Sequence, residues 1–231
     1  MNQNKSKIRV VYLLISVMAA VALGVGRNVW ALSDEFFYVL LALLLLVIVT
    51  APLIVNHLWY LRFMRSVEAL RPILTEQHNP DRYIEENKKL LRGRKSLLIR
   101  ATLRINLCAG YCEKGDYKEA KCQLQAVQGE KTFGIIRMIY LADYAYVCFY
   151  LGENLEALAA MERNRQGLND FQDSEQYGGL ISILRIFALL AVNEREKAKE
   201  LYDTSRALWH NDRTREDFDY LQGLLSRDNA K

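Results

Sequence analysis

The stretch LRINLCAGYCEKGDYKEAKCQL, residues 103–124, decides the fold of the C-terminal part of the chain. Its apolar residues recur at helical spacing, and this periodicity is interrupted at Gly115 and Asp116. The spacing predicts two helices that are separated by a turn. Three of the four cysteines also lie within this stretch, which raises the question of a metal or redox site.

Helical periodicity continues from residue 97 towards the C-terminus, with recurrent breaks. A pair of helices cannot bury its apolar face alone, so about three pairs must stack around a common core. The last pair then needs a closing helix with a polar outer side. The segment from Arg213 to Leu225, which mixes large apolar and charged residues, suits that role. The breaks fall at Gly115–Asp116, Gly129, Gly152–Glu153, Gly178–Gly179 and Val192–Asn193.

The order of large and small residues in this region resembles the tetratricopeptide repeat. In residues 103–124, a large–small pair is followed by an aromatic residue, a glycine turn and a small–large pair. The spacing recurs 37 residues later, and a third copy matches in its first helix only if its turn is shorter by two residues. The matching residues are Leu107, Cys108, Tyr111, Gly115, Ala120 and Leu124, then Tyr144, Ala145, Gly152, Ala157 and Met161, then Phe187, Ala188, Ala198 and Tyr202.

The resemblance implies an all-α fold, in which residues 97–231 form an α-solenoid of about three helix–turn–helix repeats with a C-terminal capping helix. It also implies that the first helix of each repeat lines a concave groove. Of the Lys/Asn/Arg clamp with which some family members hold an acidic C-terminal peptide, only an asparagine has a counterpart, so that ligand is not expected. The groove positions are Asn106, Ala109, Tyr146, Phe149, Tyr150, Phe187 and Leu190.

The aromatic groove residues have two interpretations. Tyr146, Phe149 and Tyr150 could anchor a helix of a protein partner, because large aromatic side chains dominate many interfaces. The same aromatic stripe on a stacked helix also suits the core of the domain. The predicted partner-binding residues are Asn106, Tyr146, Phe149, Tyr150, Phe187 and Leu190, and the core is the alternative.

The cysteines are expected to pack as small apolar residues. Cys108 and Cys112 are four residues apart on one predicted helix, where two side chains share a face. A tight site for a soft metal needs about four ligands, and none of the three histidines has a suitable spacing to this pair. We therefore predict no metal and no cofactor, and metal or redox chemistry is the alternative.

The first 60 residues carry two long apolar runs. The second, from Phe36 to Trp59, has 24 residues without Lys, Arg, Asp or Glu, which is enough for a helix to cross a bilayer core of roughly 30 Å. Together the runs predict a transmembrane hairpin over residues 1–60, with spans at about 10–28 and 36–59. Pro52 is tolerated in such a helix when a neighbouring group satisfies the carbonyl that it frees. A signal peptide with a cleavage site at Val29–Trp30–Ala31 is the alternative for the first run.

The basic residues predict the orientation of the hairpin. Three precede the first run and three follow the second, whereas the turn holds Arg27 alone. Both termini and the repeat domain are therefore expected in the cytoplasm, where disulfides are not expected. Ala20 with Gly24 and Ala22 with Gly26 are pairs of small residues that allow close helix approach. They suit either packing between the two spans or a homo-oligomer through the first span.

Residues 61–96 are predicted to form a basic, helical juxtamembrane linker. Between Tyr60 and Ser96, nine Lys or Arg residues stand against five Asp or Glu residues. Such a segment is attracted to an anionic leaflet and would lie along it, and a solvated helix beside the membrane is the alternative. Asn79 followed by Pro80 predicts the start of a helix, because asparagine caps helices and proline fits their first turn.

The sequence lacks the motifs of common catalytic sites. It has no glycine-rich phosphate loop, no HExxH, no GxSxG and no paired CxxC. The part after Ser96 has 18 basic and 20 acidic residues, which does not favour nucleic-acid binding. We predict a non-enzymatic integral membrane protein, a scaffold that presents its repeat domain to a protein partner. The alternative is a regulatory or sensory subunit of a membrane enzyme, transport or envelope-assembly complex.

Overall fold

The computed structural model describes residues 2–29, 33–93, 96–127 and 132–226, with side chains from Val11 onward except Leu13 and Asn28. The predicted break at Gly129 and the pair Trp30–Ala31 of the predicted cleavage site lie outside these residues. Every regular element in the described part is a helix, which confirms the all-α class. The chain divides into two compact units, Met1–Ala69 and Leu70–Lys231.

The first unit consists of helices α1 (Asn2–Val29) and α2 (Asp34–Glu68). Among the described residues, one stretch, Asp34–Thr75, is long and apolar enough to cross a membrane, and its most apolar window has a mean hydropathy of 2.9 with none of it buried. The apolar part of α1, Leu14–Arg27, is shorter. The second predicted span therefore has the required length and composition, and the two-span hairpin stays a prediction.

The two helices of this unit contact each other beside the turn and again further along α1. Near the turn, the Arg27 guanidinium lies 2.6 Å from a carboxylate oxygen of Asp34. Towards the start of α1, the Tyr12 hydroxyl donates a hydrogen bond of 2.7 Å to the carbonyl oxygen of Ile48. These contacts place α1 and α2 antiparallel within the unit.

The second unit is a series of short helices. Asn79 caps one of them through its side-chain oxygen, which accepts the N–H of Arg82 at 3.0 Å, as the Asn–Pro pair predicted. Residues 61–96, predicted as one linker, contain the end of α2 and two separate helices. The helices of the second unit are α3 (Arg71–Thr75), α4 (Pro80–Leu91), α5 (Leu97–Glu113), α6 (Tyr117–Gln125), α7 (Gly134–Tyr150), α8 (Asn154–Arg163), α9 (Arg165–Asp170), α10 (Gly178–Ala191), α11 (Arg195–Trp209) and α12 (Arg215–Ser226).

Three pairs of helices, α5 with α6, α7 with α8 and α10 with α11, are joined by the same turn. A residue with left-handed backbone conformation stands in each turn, namely Gly115, Gly152 and Asn193, with φ of 71°, 75° and 62°. The N–H of the next residue donates to the carbonyl five residues earlier, at 2.8–2.9 Å in all three turns. This is a Schellman ending, for which glycine and asparagine are suited because they tolerate positive φ.

The small residues of the predicted repeats lie where two helices approach closely. Cys108, Ala120, Ala145, Ala157 and Ala198 are each no more than 1% exposed. A larger side chain at any of these positions would have to displace a neighbouring helix. The paired helices bury two apolar clusters that both contact residues of α7, and α12 completes one of them with two large side chains, Phe218 and Leu221.

Candidate partner-binding surface

The predicted groove residues lie on α5, α7 and α10, the first helices of the three pairs. Phe149 and Phe187 stack face to face, with ring centroids 5.3 Å apart, and both rings are buried in the core. Leu190 is half-buried on α10. The role of these residues in partner binding stays a prediction, and their present contacts join α7 to α10.

Tyr146 and Tyr150 on α7 reach across to the last helix. Both hydroxyls donate hydrogen bonds to the same carboxylate oxygen of Asp217 on α12, at 2.7 Å from Tyr146. Burial raises the pKa of the Asp217 carboxyl, and the two hydroxyl donors act in the opposite direction. Burial and the nearby carboxylate also raise the pKa of Tyr146, so its hydroxyl keeps its proton and remains a donor.

Tyr150 is also the middle member of a stack of three tyrosine rings from three helices. The rings of Tyr117 on α6 and Tyr150 are 4.4 Å apart and nearly parallel, with an interplanar angle of 14°. The ring of Tyr220 on α12 lies 5.0 Å from Tyr150 at an angle of 23°. Tyr220 is 41% exposed, so the stack ends at the surface. We name Tyr117, Tyr150 and Tyr220 the tyrosine stack.

Two of these tyrosines, Tyr146 and Tyr150, are predicted groove positions, and the rest of this arrangement was not predicted from the sequence. Tyr117, Asp217 and Tyr220 are not among the predicted groove positions. Tyr150 and Asp217 are 67 positions apart, and helical periodicity does not indicate which distant helix faces a given residue. The sequence offers one signal of this contact: Asp217, in the polar pattern of α12, stands three residues before Tyr220.

Asn106 takes part in the contact between α4 and α5. Its side-chain amide donates to the carboxamide oxygen of Asn87 at 3.3 Å, and Asn87 is fully buried and donates to the Tyr83 carbonyl at 2.9 Å. A buried amide is stable only when its hydrogen bonds are made, so this pair fixes the two helices. Ala109, in contrast, is exposed on α5. Binding of a partner by Asn106 also stays a prediction.

The four cysteines are free thiols. The Cys108 and Cys112 sulfur atoms are 3.8 Å apart, and this contact together with burial raises the pKa of Cys108. Burial raises the pKa of Cys148 to about 12. Metal binding and redox chemistry both require a thiolate, which these surroundings disfavour. Cys122 is exposed on α6.

A cluster of possible metal ligands that sequence reasoning missed lies between α6 and α8. Ligand atoms of Cys148, Glu153 and Glu156 lie within 4.8 Å of one another. The ammonium group of Lys121 lies 2.9 Å from the Glu156 carboxylate and also contacts Glu153. The Tyr144 hydroxyl donates to Glu156 at 2.8 Å. Lys121 thus supplies one positive charge that both carboxylates share, and the cluster forms an ionic link between the first and second helix pairs.

A cavity of about 70 Å³ lies between the start of α5 and the end of α6. Pockets that hold cofactors or drug-sized ligands measure roughly 300–1,000 Å³, so this cavity does not suit a cofactor. Arg104, on its wall, donates to the side-chain oxygen of Gln123 at 3.0 Å. The lining residues are Leu97, Arg100, Ala101, Arg104, Ala126, Val127 and Thr132.

Comparisons of the chain with family models, with curated proteins and with solved structures find no match. The resemblance to the tetratricopeptide repeat therefore stays a prediction that depends on the residue pattern.

Proposed function

We propose that this chain is a membrane-anchored scaffold, in which a helical hairpin holds a repeat domain at the cytoplasmic face of a membrane for binding to a protein partner. The observation that carries the proposal is the contrast between the two units. No residue in the most apolar window of α2 is buried within its own unit, and the second unit buries its own apolar residues. Lipid is the solvent that suits the first unit, and water suits the second.

The hairpin part of the proposal is supported by the seam between α1 and α2. Among the described side chains of α1, half-buried or buried residues recur every three or four positions, at Tyr12, Ser16, Ala19, Leu23 and Gly26, and Arg27 beside the turn is half-buried as well. This is the spacing of one helix face. Ala20 and Gly24 are both exposed, so of the two predicted small-residue pairs this one points away from the seam. The charge distribution described above supports cytoplasmic termini.

The repeat part of the proposal is supported by the three identical turns and by the small buried residues beside them. We infer a tetratricopeptide-like solenoid of three helix–turn–helix units, preceded by α4 and closed by α12. Such solenoids bind other proteins along an extended face, because each unit contributes one helix to it.

We place the partner on the exposed side of the tyrosine stack. Tyrosine is enriched among the residues that dominate binding energy, since it buries a large rigid ring at little cost in entropy. Tyr220 is exposed at the end of this stack, and Ala109 is an exposed position of the predicted groove on α5. A scaffold with this surface requires no catalytic group, and we propose no turnover for the chain.

Photo-cross-linking in cells tests the proposal. A photoreactive phenylalanine analogue would replace Tyr220 or Ala109, and the matched controls would replace Leu155 on α8 and Leu208 on α11, which are 85% and 75% exposed. We expect one cross-linked product of defined mass from the first two positions and not from the controls, in membranes that retain the protein after alkaline extraction. Release of the protein by alkali, or the same products from all four positions, would contradict the proposal.

A further inference from the structure

Pro52 leaves a backbone carbonyl of α2 without its usual donor. Proline has no N–H, so the carbonyl of Ile48, four residues earlier, loses the hydrogen bond that a helix normally gives it. In water this carbonyl would bind solvent. In the hydrocarbon core of a bilayer, where water is absent, the donor has to come from the protein.

We propose that Tyr12 of α1 is the positioning residue that supplies this donor and thereby makes α1 a permanent part of the membrane anchor. Its hydroxyl donates to the Ile48 carbonyl oxygen at 2.7 Å. The inference rests on the proposed membrane hairpin and adds to it a specific reason why both helices stay together. It also favours a retained first span over a cleaved signal peptide.

The hydrogen bond from Tyr12 to Ile48 fits the same helix register as the ion pair beside the turn. Arg27 pairs with Asp34 beside the turn. From Arg27 back to Tyr12 there are 15 residues, and from Asp34 forward to Ile48 there are 14. At a rise of 1.5 Å per residue these are helix lengths of about 22 and 21 Å. The two contacts therefore fit one antiparallel register without a bend or a slip in either helix.

Retention of α1 follows from the same bond. Cleavage after Val29–Trp30–Ala31 would remove Tyr12 from the anchor and leave the Ile48 carbonyl facing lipid without a donor. An unsatisfied backbone group in hydrocarbon is strongly unfavourable, so the proline in α2 and the tyrosine in α1 are expected to depend on each other. Without Tyr12, the inserted helix would have to distort near Pro52 or admit water.

Solid-state NMR of the full chain in lipid bilayers tests the bond directly. Labelling isoleucine carbonyl carbons with ¹³C and valine nitrogens with ¹⁵N selects the Ile–Val pairs, of which the sequence has two, Ile48–Val49 and Ile54–Val55. A carbonyl resonance moves upfield when its oxygen loses a hydrogen bond. In Tyr12→Phe, which removes only the hydroxyl, we expect the Ile48 signal to move upfield and the Ile54 signal to stay, because residue 58 still donates to Ile54.

Pro52→Ala is the matched background, since alanine at this position restores the N–H that donates to Ile48. In this background, Tyr12→Phe is expected to leave both signals in place. An Ile48 signal that does not respond to Tyr12→Phe in the protein that keeps Pro52 would overturn the inference. A measured mass of the intact protein that lacks the first 31 residues would also overturn the inference. In that case α2 alone would still anchor the chain in the membrane. Release of the whole protein by alkali would instead contradict the proposed function.

Discussion

The half-buried Asp143 on α7 should make the repeat domain less stable as the pH rises. Burial raises the pKa of its carboxyl to about 7 from an ordinary value of 3.8. The folded domain therefore holds a proton on Asp143 at a pH where the unfolded chain has released it. The perturbation that tests this is Asp143→Asn, which has nearly the same shape and no charge at any pH.

The size and sign of the effect follow from the two pKa values. Between pH 4 and pH 7 the folded state binds more protons than the unfolded state at this group, so the free energy of unfolding falls as the pH increases. A shift of about 3 units, at roughly 1.36 kcal/mol per unit, corresponds to about 4 kcal/mol by pH 8. Because the side chain keeps some contact with solvent, we expect a measured loss of about 2–4 kcal/mol.

Urea unfolding of the fragment Leu70–Lys231, followed by circular dichroism at several pH values from 4.5 to 8, is the assay. We expect the stability of the wild type to fall over this range by more than that of Asp143→Asn, so that the variant becomes the more stable protein near pH 8. Asp173→Asn, at an exposed aspartate, should leave the pH profile of the wild type unchanged. Parallel pH profiles for the wild type and Asp143→Asn would show that the carboxyl is not held protonated by burial.

Four further outcomes are expected. Gly110→Ala should destabilise the domain relative to Gly223→Ala by about 1–3 kcal/mol in the same urea assay, because a Cβ at 110 would lie 2.8 Å from an Ile84 side-chain carbon and one at 223 would meet nothing within 4 Å. Lys121→Met should lower Tm, and Lys118→Met, at an exposed position of the same helix, should not. Replacing all four cysteines by alanine should keep the helical circular dichroism spectrum, at about 1 kcal/mol for each buried site, and chelators should have no effect on Tm. Ser33→Cys should react with an impermeant maleimide in intact cells, and the native cysteines only after lysis.

The sequence was sufficient to predict the helix pairs, because their turns depend on local chemistry. Gly115 and Gly152 mark two of the turns, and they adopt the positive φ that a Schellman ending requires. Most of the buried small residues could be predicted too, since close approach of two helices favours small side chains at the contact. Phe218 and Leu221 of the predicted closing helix are fully buried.

The third pair shows what the pattern alone could not give. Phe187 and Ala188 matched the first helix only with a turn shortened by two residues, yet the turn at Asn193 has the same hydrogen bonds and length as the other two. By spacing from the turn, Arg185 and Ile186 occupy the positions of Leu107 and Cys108. The repeat pattern therefore places the first helix of the third copy two residues too far along the chain, because Ile186 stands where Cys108 and Ala145 stand in the other two copies.

The contacts of the tyrosine stack could not be predicted, because they depend on how α12 folds back onto α7. Tyr117 and Tyr150 come from consecutive helices, but Tyr220 comes from α12, far along the chain. Periodicity indicates which face of a helix a residue occupies, and it does not indicate which distant helix packs against that face. Asp217 has a charged side chain, and charged residues are ordinarily expected at the surface. Its position beside two tyrosine hydroxyls is visible only when the helices are assembled.

Whether α12 is a fixed or a movable part of the domain determines how a partner can bind. Phe218 and Leu221 are fully buried, and removing two such side chains from a core costs about 1.5–3 kcal/mol each. The hydrogen bonds from Tyr146 and Tyr150 to Asp217 would be lost in addition. The free-energy cost of displacing α12 is therefore a large part of the stability of an ordinary domain, and a partner that had to displace this helix would bind weakly. The partner surface that we propose therefore includes Tyr220 as a built-in element, and a partner that binds there leaves α12 in place.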